Sequence, residues 1–173
     1  MNKTSFRWWK FLVLWICFLL LHYSYKWFPI PLFYLLGGDE ETVFLHMKML
    51  FVVYVLVNSM EFILVYKKVK DKGSHLSNRA LIAVSYPWLT ITFWFLARAF
   101  QIEFPVFWEI VYANLMVLLG FYIAIRLEEL LDGVVVRPSL RWMSFLLLSA
   151  AVIVYVLFTY DPIYPFFTPP PGW

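Results

Sequence analysis

The sequence predicts an all-α integral membrane protein, a bundle of five transmembrane helices that forms one domain over residues 1–173. Of the 173 residues, 63% are hydrophobic and 22% are aromatic, whereas soluble domains are roughly 45–50% apolar. The charged residues, 14% of the chain, gather in short clusters between apolar runs of about 20 residues, the length that crosses a bilayer as a helix. This composition excludes an ordinary soluble domain.

The five predicted helices cover residues 8–25, 42–66, 79–100, 104–131 and 140–160, and residues 161–173 form an outer tail rich in proline and aromatic residues. The first helix has the basic start and apolar centre of a signal peptide. However, bulky His22, Tyr23 and Tyr25 stand where a small-residue cleavage site belongs, so we expect this helix to be retained. We expect the tail to lie at the membrane surface as a lid or docking strap, because its prolines cannot continue a helix.

The distribution of lysine and arginine predicts the orientation. Basic residues cluster before the first helix, between the second and third, and between the fourth and fifth, while most acidic residues outside the helices occupy the alternate segments. The positive-inside rule then places the N-terminus in the cytoplasm and the C-terminus outside, in the cell (inner) membrane. The basic residues act as topology determinants, so the net charge of +3 predicts no nucleic-acid partner.

Ionisable groups inside spanning helices are costly and usually mark functional sites. His46 begins the second helix, Arg98 ends the third and Glu109 begins the fourth, so all three fall in the outer leaflet. If these helices are neighbours, the three side chains meet in an outward-facing pocket that can bind an anionic headgroup or move a proton. They are the candidate catalytic residues, and interfacial pairing of Arg98 with Glu103 or Glu109 is the structural alternative.

A second set of candidates follows from helical spacing. Tyr54, Asn58 and Glu61 lie on one face of the second helix. The polar faces of the third and fourth helices add further candidates, and the ligand-binding set is Tyr54, Asn58, Glu61, Tyr86, Trp94 and Tyr112. The structural alternative for Glu61 is pairing with Lys67 and Lys68. For Lys48, which points away from this face, we expect the ammonium to extend to the headgroups.

The sequence shows no metal motif and no cofactor motif. The three histidines lack the spacing of a metal site, and the lone Cys17 provides no thiolate cluster. A haem held between His22 and His46 is a weaker alternative that no local motif supports. Metal ligands and cofactors are therefore not predicted.

Two stretches resemble known families. The segment FPVFWEIVYANLMVLL, residues 104–119, looks like the last helix of emopamil-binding and sigma-2-receptor-like proteins. That family, which includes a sterol isomerase, binds sterols in a small helical bundle, so the resemblance implies a sterol-binding bundle. It covers about one helix and its neighbour, and a further helix follows here. The segment FTPPPGW is similar to a Pro-Gly-Trp segment of tryptophan-rich sensory proteins, where it lies in an early loop. Neither resemblance is specific enough to assign the chain to a family.

The leading functional hypothesis is a non-catalytic binding or accessory subunit that docks a lipid, a quinone-like ligand or a membrane partner at its outer face. Membrane lipids, other membrane subunits or further copies of the chain are the expected partners. One alternative is a lipid-modifying or isomerising enzyme with an outer-leaflet His/Glu/Arg pocket. Another is a small channel or proton-coupled carrier centred on Glu61 and Asn58, although the five unlike helices lack the internal symmetry common in carriers.

Overall fold

The structure, a computed structural model, describes residues 7–38, 42–100, 102 and 104–161, without the side chain of Arg98. The predicted tail from residue 162 onwards lies outside the described residues. In this part of the chain every regular element is a helix: α1 Trp8–Trp27, α2 Pro31–Leu36, α3 Val43–Val65, α4 Lys72–Ala99, α5 Val106–Leu131 and α6 Pro138–Tyr160.

Five of these helices are long and apolar enough to cross a membrane. Their mean hydropathy over the most apolar window is lowest in α1, at 1.3, and highest in α6, at 2.2. The short α2 lies in the segment between α1 and α3. Gly38 there has φ +81°, a left-handed conformation that favours glycine. The predicted number and apolar character of the long helices are confirmed, and they indicate a multi-pass membrane protein.

The main difference from the predicted boundaries is the start of α4, which begins at Lys72 rather than at residue 79. Asp71 precedes the helix and its Oδ1 accepts the backbone N–H of Ser74 at 3.0 Å, as a helix cap does. Ser77, Asn78 and Arg79 in the next turns are buried. Because these turns are polar, the sequence pattern did not include them in a spanning helix. They belong to α4 because they pack inside the protein.

The other helix ends agree with the prediction to within two residues. Pro138 occupies the first position of α6, where its missing N–H costs nothing. Pro87 lies inside α4, which continues through it.

The helices pack around α4, which contacts α3, α5 and α6, while α1 packs across α3 and α5. The middle of the bundle is a layer of fully buried side chains drawn from four helices: Leu14, Leu50, Tyr54, Tyr86 and Phe121. In this layer the Tyr86 hydroxyl donates to the carbonyl oxygen of Leu50, and the rings of Tyr54 and Tyr86 lie 5.0 Å apart. The layer separates the two ends of the bundle.

Two ion pairs join neighbouring segments at one end of the bundle. Arg7 at the start of α1 contacts Asp132 after α5, with 3.5 Å between Nη2 and Oδ2, and Arg141 of α6 contacts Asp71 before α4, with 2.6 Å between Nη2 and Oδ2. The basic segments that we expected on one side therefore lie at one end, which we call the basic end. The opposite end holds the end of α1 and the start of α3.

Close approach of α4 and α5 depends on Gly120. A Cβ atom added at this position would overlap Thr90 Oγ1 and lie 3.1 Å from both Cβ and Cγ2 of Thr90. Thr90 is itself buried and donates to the carbonyl oxygen of Tyr86 at 3.0 Å, so its side chain cannot turn away without losing that bond.

We expect Gly120→Ala to lower the free energy of unfolding by about 1–3 kcal/mol, the usual cost of overpacking, although alanine is the better helix former. Reversible unfolding in mixed micelles, followed by circular dichroism, measures this change. Thr90→Ala in the same chain should recover part of the loss, relative to Thr90→Ala alone. A Gly120→Ala protein as stable as the wild type would contradict this account of the contact.

Candidate functional site

Two oppositely charged side chains, Lys10 and Glu128, are 0% exposed in the interior of the bundle. The Lys10 ammonium is the centre of their hydrogen-bond network. It donates to Asn58 Oδ1 at 2.7 Å, to Glu128 Oε2 at 2.7 Å and to Glu61 Oε2. An ammonium has three N–H donors, so all three are used. We call Lys10, Asn58, Glu61 and Glu128 the Lys10 cluster.

Helical spacing on three helices brings the cluster together. Lys10 lies in the first turn of α1. Asn58 and Glu61, three residues apart, share the inward face of α3 with Tyr54, as predicted from the sequence. On α5 the buried residues Phe121, Ala124 and Ile125 form an apolar stripe, and Glu128 is the next residue on that stripe. Packing of the stripe against the core therefore carries a carboxylate into the interior.

Two arginines adjoin the cluster. Arg7 Nη1 lies 3.2 Å from Glu61 Oε1 and 3.7 Å from Glu128 Oε2. Arg79 Nη2 lies 3.6 Å from Glu128 Oε2. Buried charges are tolerated when they are paired and hydrogen-bonded, and here cations and carboxylates alternate.

The partners of Glu61 differ from those expected. The sequence suggested Lys67 and Lys68 as its partners, but the Glu61 carboxylate forms ion pairs with Arg7 and Lys10. Sequence reasoning assigned Arg7, Lys10 and Arg79 to topology and did not select Glu128. One sequence feature could have indicated its burial: Glu128 is an acidic residue that continues the apolar stripe of its helix at helical spacing.

Two cavities adjoin the cluster. One, of about 680 Å³, opens at the basic end. We call it the basic-end vestibule, and its charged lining residues are Arg7, Glu61, Lys68, Lys70, Asp71, Arg79 and Asp132. The other, of about 100 Å³, lies among α3, α4 and α6, and its lining includes Tyr54, Asn58, Phe62, Arg79, Phe145 and Leu148. Arg79 and His75 line both.

Two buried donors beside these cavities, Nε and Nη2 of Arg79, have no hydrogen-bond partner among the residues that the structure describes. Such unmet groups are rare in folded proteins and call for an explanation. The Tyr54 hydroxyl and the Glu128 carboxylate lie close enough to interact with each other.

A third cavity, of about 70 Å³, lies at the opposite end among α3, α4 and α5. We call it the far-end pocket. His46 and Glu109, two of the sequence-based candidates, both line it, as does Trp94. Its other lining residues are small, apolar or hydroxylated: Thr42, Val43, Leu50, Thr90, Ile91, Ala113, Met116 and Val117. Arg98 belongs to α4 near this end, but its side chain lies outside the described atoms.

His46, which lines the far-end pocket, lies beside His22. His46 Nδ1 lies 2.7 Å from the carbonyl oxygen of Thr42, which orients the ring. The rings of His46 and His22 have centroids 5.4 Å apart and are inclined by 39°, so they lie beside each other rather than on opposite faces of a haem. Among the described residues, three or more histidines, cysteines or acids never gather as a metal site would need.

The remaining ligand-binding candidates have structural contacts. The Tyr86 hydroxyl bonds the Leu50 carbonyl in the middle layer, and the Tyr112 hydroxyl donates to the carbonyl of Phe93 at 2.8 Å. The expectation for Lys48 is wrong: its ammonium is buried and donates to Thr159 Oγ1 at 3.1 Å and to the Tyr34 carbonyl at 3.4 Å. The ammonium thus finds its acceptors on α2 and α6.

Outside the spanning helices, Asp71 joins the start of α4 to the start of α6. The backbone N–H and the hydroxyl of Ser74 both donate to its carboxylate, and Arg141 Nη2 donates to it at 2.6 Å. These hydrogen bonds from Ser74, together with the guanidinium of Arg141, lower the pKa of Asp71. The carboxylate therefore stabilises this junction above the usual pKa of aspartate, and the contribution is lost as the pH falls through the lowered pKa.

The chain was compared with protein-family models, with curated proteins and with solved structures, and none of them matches. The two resemblances noted in the sequence thus gain no support.

The Lys10 cluster makes a prediction about stability. Glu128→Gln leaves the buried Lys10 ammonium short of one carboxylate, and we expect a loss of about 3–5 kcal/mol in the free energy of unfolding, as for other broken buried ion pairs. Asp132→Asn is the matched control, because Asp132 also contacts Arg7 but its side chain is 51% exposed. The control should cost less than about 1 kcal/mol. Equal losses, measured by unfolding in mixed micelles, would contradict the role given to the cluster.

Asp71 makes a separate prediction. Carbon-detected NMR of the Asp71 carboxyl in detergent should show a titration midpoint below the usual aspartate pKa of about 3.9. Ser74→Ala removes the hydroxyl donor, so the midpoint should move upwards. A midpoint that stays in place after this substitution would show that the Ser74 hydroxyl does not stabilise the carboxylate.

Proposed function

We propose that the protein is a non-catalytic binding protein of the cell membrane, which holds the polar end of a lipid-like or quinone-like molecule in the far-end pocket. The observation that carries the proposal is that His46 and Glu109, from different helices, line one cavity whose other walls are largely apolar. Pockets for small ligands are mostly apolar with a few convergent polar groups. A histidine and a carboxyl can donate to or accept from a ligand carbonyl or hydroxyl.

The proposed orientation places the basic end in the cytoplasm and the far-end pocket in the outer leaflet. It is supported by the arginines and lysines that gather at the basic end, following the positive-inside rule. In this arrangement the apolar part of the ligand extends among the surrounding lipids while its polar end enters the pocket. A stable partner subunit or a second copy of the chain can then use the same exposed face.

The middle layer favours binding at one end over passage through the bundle. Leu14, Leu50, Tyr54, Tyr86 and Phe121 are fully buried between the far-end pocket and the Lys10 cluster. A channel or carrier would have to open this layer, so binding is the simpler use of the pocket.

The second candidate function is a lipid-modifying or isomerising enzyme that uses the same pocket. It is favoured by one observation, the shared lining by a histidine and a carboxyl, which can act as acid and base. Glu109→Gln separates the two candidates. An enzyme would lose turnover while ligand binding persists, whereas a binding protein shows no turnover of the bound compound before or after the change.

The binding proposal is tested by filling the pocket. Ala113→Phe places an aromatic ring among the lining residues, and it should reduce binding of a short-chain ubiquinone, used as the probe, by about tenfold or more. Leu115→Phe is the control, because Leu115 lies on the same helix but is 53% exposed. Native mass spectrometry of the purified protein measures the bound probe. If Ala113→Phe folds and binds as the wild type does, the far-end pocket is not the site.

A further inference from the structure

The geometry at the basic end points to a second site: we propose that the guanidinium of Arg79 anchors a phosphate oxyanion, with the attached apolar chain in the cavity among α3, α4 and α6. This site lies at the opposite end of the bundle from the far-end pocket. Its ligand differs in chemistry, because the recognised group is an anion rather than a neutral carbonyl or hydroxyl.

Arg79 has two donors in the interior of the protein that are unpaired within the described part of the chain. The Arg79 side chain is only 7% exposed, yet its Nε and Nη2 have no hydrogen-bond partner among the described residues. These two nitrogens form one edge of the guanidinium, and their N–H bonds point the same way. Such a fork matches two oxygens of a phosphate or carboxylate group.

The neighbouring carboxylate does not occupy the fork. Glu128 Oε2 lies 3.6 Å from Arg79 Nη2, beyond hydrogen-bonding distance, and it already accepts from Lys10 at 2.7 Å. Arg79 therefore keeps its hydrogen-bonding capacity although a counter-charge is near.

The charged residues that line the vestibule give it an excess of positive charge. Its carboxylates are paired with cations: Glu61 with Lys10 and Arg7, Asp132 with Arg7, and Asp71 with Arg141. Lys68 and Lys70 also line the vestibule, and neither forms an ion pair within the part of the chain that the structure describes. The vestibule thus carries surplus positive charge, which attracts anions towards Arg79.

The cavity among α3, α4 and α6 adjoins the vestibule at Arg79. Arg79 lines both the vestibule and the cavity among α3, α4 and α6. That cavity has apolar walls that include Val55, Phe62, Phe145 and Leu148. A phosphate at the guanidinium can therefore have its charged side in the vestibule and an acyl chain against these walls, as an anionic phospholipid requires.

Phosphate can reach the site from a lipid or from a soluble compound, and the experiment separates the two. The full-length protein is purified and offered phosphatidylglycerol or phosphatidylcholine in nanodiscs, and glycerol 3-phosphate in solution. Native mass spectrometry of the released protein counts the lipids that remain bound, and isothermal titration measures the soluble compound. We expect the wild type to retain phosphatidylglycerol in preference to phosphatidylcholine.

Arg79→Gln should lower the retention of phosphatidylglycerol by about tenfold or more, a difference of about 1.4 kcal/mol in binding. Arg137→Gln is the matched control, because Arg137 precedes α6 at the same end and is exposed. It makes the same change in net charge and should alter retention by less than about twofold. If the control loses as much as Arg79→Gln, the effect is general electrostatic attraction and the site is overturned.

Arg79→Lys keeps the charge but removes the fork, which makes it the variant of choice if Arg79→Gln does not fold. It should also bind several times more weakly than the wild type, and wild-type retention in this variant would overturn the proposal. If only glycerol 3-phosphate depends on Arg79, the oxyanion site stands and its source is soluble. The far-end variant Ala113→Phe should leave both measurements unchanged, so failure at one end is distinguishable from failure at the other.

Discussion

The bundle depends on the need to satisfy one buried ammonium. Lys10 lies where no water can accept its hydrogen bonds, and an isolated charge in such surroundings is too costly to keep. Three acceptors on two other helices meet this need, so the ammonium sets the depth and rotation of α1 against α3 and α5. Apolar packing alone would specify these less well, since lipid chains are as apolar as the helix surfaces. The polar contacts fix one arrangement among many apolar ones.

The same constraint explains why the two ends of the bundle differ. At the basic end, every carboxylate near Lys10 has a cationic neighbour, and the arginines Arg7 and Arg79 extend the alternation towards the vestibule. At the other end, the far-end pocket combines His46 and Glu109 with largely apolar walls. The layer around Tyr54 and Tyr86 closes the space between them. The described cavities at the two ends thus differ in their lining, which is rich in charged residues at one end and largely apolar at the other.

Much of the fold could be predicted because it depends on local pattern. The apolar runs that mark the five long helices are properties of neighbouring residues. The start of α4 was misplaced because its first turns are polar, and only burial against the rest of the bundle makes them part of a long helix. Among site residues, Asn58 and Glu61 were selected from their shared helix face, and His46 and Glu109 from their depth. Lys10 and Arg79 were read as markers of topology, because a basic residue at a helix end looks the same whether it faces headgroups or a carboxylate.

The sequence by itself determined the class of protein, the number of long helices and the gathering of basic segments at one end. These follow from hydrophobicity and charge along the chain, which act over about one helix length. Only the tertiary structure decided which charges are paired, since Lys10 and Glu128 are 118 residues apart in the chain. It also decided that Lys48 turns inwards to Thr159 and that two donors of Arg79 have no partner among the described residues. Pairing between helices depends on their relative rotation, and no pattern within a single helix specifies that rotation.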